Sequence, residues 1–142
     1  MIIREKIDII HGHGANSNMS NVFLLHAQNM NVRTIFTDHS QFGFADIACV
    51  NMNKGLKWVL NSVDGIISVS NTNKENICLR AFLEPKKCYV IPNAVDGTRF
   101  TPNPGLRFPI NTINIVIVSR ITYRKGIDLL IDIIPPIVKK YP

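Results

Sequence analysis

No run in the 142-residue sequence approaches the roughly 20 consecutive apolar residues needed to span a bilayer, because Asp, Asn or Lys interrupts the longest candidates every few positions. The expectation is a chain that does not itself cross a membrane. Met1 to Lys6 places Arg4, Glu5 and Lys6 where a secretory leader carries its apolar segment, which argues against export and for a cytosolic setting. Cysteine is scarce as well: Cys49, Cys78 and Cys88 form no C-x-x-C pair and are odd in number, which excludes a disulfide framework and a zinc knuckle. Aromatic residues make up only 8% of the chain, and no dense basic run interleaves with them, so a nucleic-acid groove is not expected.

What is present describes a folded protein. Hydrophobic residues amount to 46% and charged residues to 18%, a balance that supports a core of about one domain. Sixteen Lys and Arg against ten Asp and Glu give a net charge of +6. That excess suits anionic lipid or a phosphorylated ligand, and equally a solvated surface with a basic tilt.

Short β-branched runs alternate with longer segments of helical periodicity. Residues 7–10, 32–37, 65–69, 88–91 and 113–118 read as buried strands, and residues 18–30, 47–61 and 72–83 as helices between them. Strand and helix in alternation predict a doubly wound α/β arrangement with a parallel sheet. Ser70 or Thr72 can cap the third helix, with Glu75 placed to complete a capping box on Thr72. Residues 92–111 hold Pro92, Pro102, Pro104 and Pro109 with Gly97 and Gly105, and read as an interdomain linker. Residues 1–91 are then one domain, and residues 112–142 begin a second. One strand and one helix bury little, so the chain is expected to be truncated, at its start as well as its end. Pro135 and Pro136 lie inside the last helix and should kink it near Ile131 to Ile134.

Three stretches carry candidate chemistry. In VSRITYRKG, residues 118–126, Arg120 follows a strand and Lys125 precedes a helix, at the carboxyl-end crevice where open α/β sheets hold ligands. A planar guanidinium and a mobile ammonium beside a helix N-terminus suit a diphosphate, although two loop cations in isolation read equally as surface charge. In TDHSQFGFAD, residues 37–46, His39 follows the second strand, where an imidazole can hydrogen-bond sugar hydroxyls or developing charge. A histidine bonded within its own loop is the alternative. In His11-Gly12-His13-Gly14 two imidazoles alternate on extended chain, but no Cys, Asp or Glu nearby completes a zinc set, and the glycines suit a tight turn. Ser70 lacks a G-x-S-x-G elbow and reads as a cap rather than a nucleophile.

The order VIPNAVD (residues 90–96), linker, strand and R-x-x-x-x-K-G turn resembles the retaining, two-domain GT-B glycosyltransferases of family 4. Ser119 before Arg120, GIDLL after Lys125 and the TDHSQFGFAD loop are similar to the branch that begins glycosylphosphatidylinositol (GPI) anchors. Most of the family has Gly where Ser119 stands, and the branch more often has Ser where Gly12 and Gly14 stand.

The resemblance covers residues 11–141 and implies a GT-B-like fold: most of one Rossmann-like domain, then the first strand and helix of another. It implies transfer of N-acetylglucosamine from UDP-N-acetylglucosamine to phosphatidylinositol by an endoplasmic-reticulum membrane complex of several subunits, at the cytosolic face. It implies no cofactor and no metal. Catalytic roles then fall on His39, Arg120 and Lys125, donor diphosphate binding on Arg120, Lys125 and Gly126, and acceptor-side contacts on His13, Phe42 and Asp46.

The family's pair of glutamates eight positions apart has no counterpart here, so the chain alone is expected to be inactive. A noncatalytic acceptor- or partner-binding module and a same-fold transferase with another acceptor are the competing readings.

Overall fold

The computed structural model describes residues 1–41, 43, 47–106 and 112–141, and divides into two compact units, Met1–Asp96 and Gly97–Pro142. In the first unit the order is β1 (Ile9–His13), α1 (Asn18–Asn29), β2 (Arg33–Asp38), α2 (Ile47–Leu60), β3 (Gly65–Ser68), α3 (Asn71–Ala81) and β4 (Cys88–Val90). The four strands form one parallel sheet in the order β1-β2-β3-β4.

That order bears out the parallel α/β reading but changes its winding. Parallel crossovers are right-handed, so stepping always to the same side carries successive helices to the same face of the sheet. Leu24 of α1, Leu56 and Leu60 of α2 and Ile77 of α3 share one core cluster with Phe36, Ile66 and Cys88 of the strands, and α2 packs on both α1 and α3. Each Leu, Ile or Phe among them, taken fully from water, contributes about 1.5–3 kcal/mol. The opposite strand face carries Ile9, His11, His13 and Tyr89, all exposed. Among the described residues of the first unit the helices cover the sheet on one side only, not on two as in a doubly wound sheet.

The strand signal for β1 also slips. Residues 7–8 stay outside the ladder, whereas His11, Gly12 and His13 pair with Ile35, Phe36 and Thr37. Hydropathy marks apolar residues, but backbone pairing recruits polar ones when their side chains face outward. Gly12 is needed for packing: a Cβ there would stand 2.9 Å from Leu24 Cδ1 and would collide with Ser20 Oγ. Gly14 then turns the chain at φ +76, and its N–H donates to the Thr37 carbonyl at 2.9 Å. The tight turn expected of that glycine is present.

The helices start on their caps. Ser17 Oγ accepts from Ser20 N at the head of α1, and Ser70 Oγ accepts from Asn73 N at the head of α3. Ser70 rather than Thr72 is therefore the cap of α3. The helix ends at Phe82, left-handed at φ 53, whose N–H donates to the Cys78 carbonyl. Cys78 and Cys88 face each other as free thiols, Sγ to Sγ 3.4 Å, and burial pushes the Cys88 thiol up to about 12.

The second unit contains α4 (Ile127–Lys140) and two single turns of 3-10 helix, Pro104–Leu106 and Tyr123–Lys125. Residues 113–118 join no sheet, contrary to the strand expected there. A strand needs a neighbour for its N–H and C=O groups, and among the described residues this run has none; Val118 is 93% exposed. Helix α4 runs on through Pro135 and Pro136, which withhold two donors from the turn before them. None of its side chains is buried.

Candidate functional site

The carboxyl ends of β1 and β2 bring three histidines together. Residues alternate across a strand, so His11 and His13 share the open face, and His39 arrives beside them one residue past the end of β2. His13 Nδ1 and His39 Nε2 lie 3.1 Å apart, with their rings stacked at a centroid separation of 5.4 Å. The ring of His11 lies 4.3 Å from that of His13, and its Nε2 is 2.7 Å from Thr37 Oγ1. Two of the expected site residues, His13 and His39, are thus in direct contact. In a neutral pair one ring donates the hydrogen and the other accepts it; two imidazolium rings have no acceptor between them. Burial lowers the pKa of His11, and the charges of His13 and His39 lower it further.

The residues on either side of His39 in the chain, Asp38 and Ser40, belong to a buried network. Asp38 and Arg80 are both fully buried and paired, NH2 to Oδ2 at 2.6 Å. Asn73 Nδ2 donates to the same Asp38 oxygen at 3.2 Å and to the Ser40 carbonyl at 3.1 Å, and Arg80 NH2 also donates to that carbonyl at 3.2 Å. The Ser40 N–H in turn points to Asp38 Oδ1 at 3.4 Å. Asn73 Oδ1 accepts from Val69 N, so the whole amide is used. Asn73 and Arg80 stand seven residues apart on α3, two turns along one face. Burial raises the pKa of Asp38, with Arg80 and Asn73 opposing, and burial lowers that of Arg80.

A cleft of about 330 Å³ lies at the carboxyl end of β1, beside the first turns of α1, lined among others by His11, His13, Ser17 and Phe23. A second, of about 410 Å³, lies at the other end of β2, beside Gln28, Arg33 and Asp64, away from the histidines. There Asp64 joins Arg33 and both donors of Thr34, and its pKa is lowered chiefly by the Thr34 backbone N–H. The first cleft adjoins the histidines, the second the Arg33–Asp64 pair.

In the second unit Arg120 and Lys125 are both exposed. Lys125 closes the 3-10 turn by donating its N–H to the Thr122 carbonyl, and Gly126 follows in the left-handed region at φ 71, directly ahead of Ile127. The expected Lys–Gly–helix order is formed. Arg120 does not follow a buried strand, since that strand is not formed. Phe42 and Asp46, expected on the acceptor side, lie outside the described residues. Among the described residues no three of His, Cys, Asp and Glu are grouped to hold a metal ion. No helix among them is long and apolar enough to cross a membrane.

Sequence reasoning singled out His13 and His39 but passed over Asp38, Asn73 and Arg80. The signal for them was an Asn and an Arg at two-turn spacing on an otherwise buried helix face, facing a strand that ends in Asp.

Comparison with known proteins bears out the resemblance. The family model for PIGA (GPI anchor biosynthesis) matches residues 1–46. The chain is 52% identical over 142 residues to a human protein named for its place in phosphatidylinositol N-acetylglucosaminyltransferase, covering all of this chain and 29% of that protein. It is 47% identical over 139 residues to the Arabidopsis thaliana protein of the same name, covering 98% of this chain and 31% of that one. It is 46% identical over 142 residues to the gpi3 subunit of the same transferase in Schizosaccharomyces pombe, again covering 31% of the relative. The chain therefore spans less than a third of the length of these relatives.

Proposed function

We propose that this chain is a segment of a phosphatidylinositol N-acetylglucosaminyltransferase, the activity for which its relatives are named, and that it supplies the acceptor side and the first donor-phosphate turn. The observation that carries this reading is identity of 46–52% along essentially the whole chain to three proteins that bear that name. The meeting of His13 and His39 at the carboxyl edge of the parallel sheet is the geometry such a site needs. The reaction is the first step of GPI anchor synthesis: N-acetylglucosamine leaves UDP and joins phosphatidylinositol with retention at the anomeric carbon.

In this reading His13 and His39 contact the acceptor or the sugar being transferred. Arg120 and Lys125 hold the diphosphate as its bond to the sugar breaks, where negative charge grows. No resident cofactor is assigned, because the two cations answer the leaving group's charge. Phe42 and Asp46 remain assigned to the acceptor side. The relatives are named as subunits, and the proposal extends to this chain the same membership of a complex at the cytosolic face of the endoplasmic reticulum.

The test is Lys125→Ala and Arg120→Ala in the intact parent, assayed with UDP-N-acetylglucosamine and phosphatidylinositol. Each should lower turnover about 10²-fold, the scale of losing one positioned charge-stabilising donor. Unchanged turnover in either variant sinks the role assigned to that residue.

A further inference from the structure

We infer that Asp38, Asn73 and Arg80 are positioning residues for His39, a buried clamp that fixes the loop after β2 so that the His39 imidazole meets His13. The role of His39 rests on the proposed function, but the clamp itself is read from geometry alone.

The residues flanking His39 are held on both sides. Before it, the Asp38 carboxylate is fully buried and takes Arg80 NH2 at 2.6 Å and Asn73 Nδ2 at 3.2 Å on one oxygen. After it, the Ser40 carbonyl takes the same two donors at 3.2 and 3.1 Å. The Ser40 N–H closes the turn on the second Asp38 oxygen at 3.4 Å. Two donors from one helix face thus converge on one side chain and one backbone carbonyl, with His39 between them.

A buried ion pair is a poor way to stabilise a fold, since desolvation consumes most of the attraction, and apolar residues of the same volume often do as well. What a hydrogen-bonded pair adds is direction. The ordinary alternatives for holding such a turn, a glycine or a proline, are absent at residues 38–41. His39 itself is exposed, so packing does not orient it. Its ring direction follows from the backbone on either side and from the contact with His13 at 3.1 Å.

The test uses the whole chain labelled with nitrogen-15 and observes the imidazole nitrogens of His13 and His39, together with far-UV circular dichroism. His39→Ala defines the His13 signature without its partner. Asn73→Ala leaves the Arg80–Asp38 pair in place but removes one donor from both Asp38 and Ser40. The expected result is a folded variant whose His13 signature moves to that of His39→Ala. Arg80→Lys, which keeps the charge but replaces the fork by a single donor centre, should shift it in the same direction. A folded Asn73→Ala variant with the wild-type His13 signature overturns the clamp. So does loss of fold in both variants, which assigns the network to stability alone. Neither readout needs transferase activity, so a failure of the clamp and a failure of the proposed function are separable.

Discussion

His39 Nε2 lies 3.1 Å from His13 Nδ1, joining the loop beyond β2 to the last residue of β1 across 26 residues of sequence. A pair this close acts as a unit. In the intact parent, His13→Ala and His39→Ala should each lower kcat, on the scale of about 10²-fold for a lost proton-handling or hydrogen-bonding group. The double variant should lose little more than either single one, because each substitution already removes the shared hydrogen bond. Steady-state kinetics with all three variants decide this, and losses that multiply in full would mean that the two rings act independently.

Gly12→Ala should destabilise the first unit, although alanine is otherwise better suited than glycine to extended chain. The added methyl would meet Leu24 Cδ1 at 2.9 Å and collide with Ser20 Oγ, so α1 must move off β1. Overpacking of this kind costs about 1–3 kcal/mol. Ser20→Ala in the same chain should restore part of the loss, as measured by the denaturant midpoint. A neutral Gly12→Ala would show that α1 does not press on β1 there.

Stability should fall in acid through His11. Its pKa is lowered from 6.5 by burial and then by the charges of His13 and His39, so the unfolded chain takes up a proton before the folded one does. The contribution is complete above 6.5 and is lost as pH falls from 6.5 through the lowered folded value. Denaturant midpoints measured from about pH 8 to about pH 5 should slope downward in the wild type and less so in His11→Gln. Equal slopes would place the acid sensitivity elsewhere.

The parts of the fold written in local pattern were legible from the sequence. The four strands of the first unit and its three helices follow from short β-branched runs and helical spacing, and Ser70 and Gly14 sit where a cap and a turn need them. The winding was not legible, because sheet order depends on contacts far apart in sequence. The run 113–118 misled for a related reason: β-branched residues favour a strand only where a neighbour completes the ladder.

The candidate site divides along the same line. Its histidines were marked by the motif around them, whereas Asn73 and Arg80 were marked only by their two-turn spacing on α3, which by itself does not name Asp38 as their partner. A charged residue in a helix reads as surface until the partner buried against it is known, and Arg80 meets Asp38 from 42 residues away.

The most direct measurement exchanges this chain for the matching segment of the human relative and follows transfer of labelled N-acetylglucosamine from its UDP donor to phosphatidylinositol in membranes. Transfer should persist in the exchanged protein, and His39→Ala within the exchanged segment should lower it strongly. An exchanged protein that accumulates and folds but transfers no sugar to phosphatidylinositol would contradict the account.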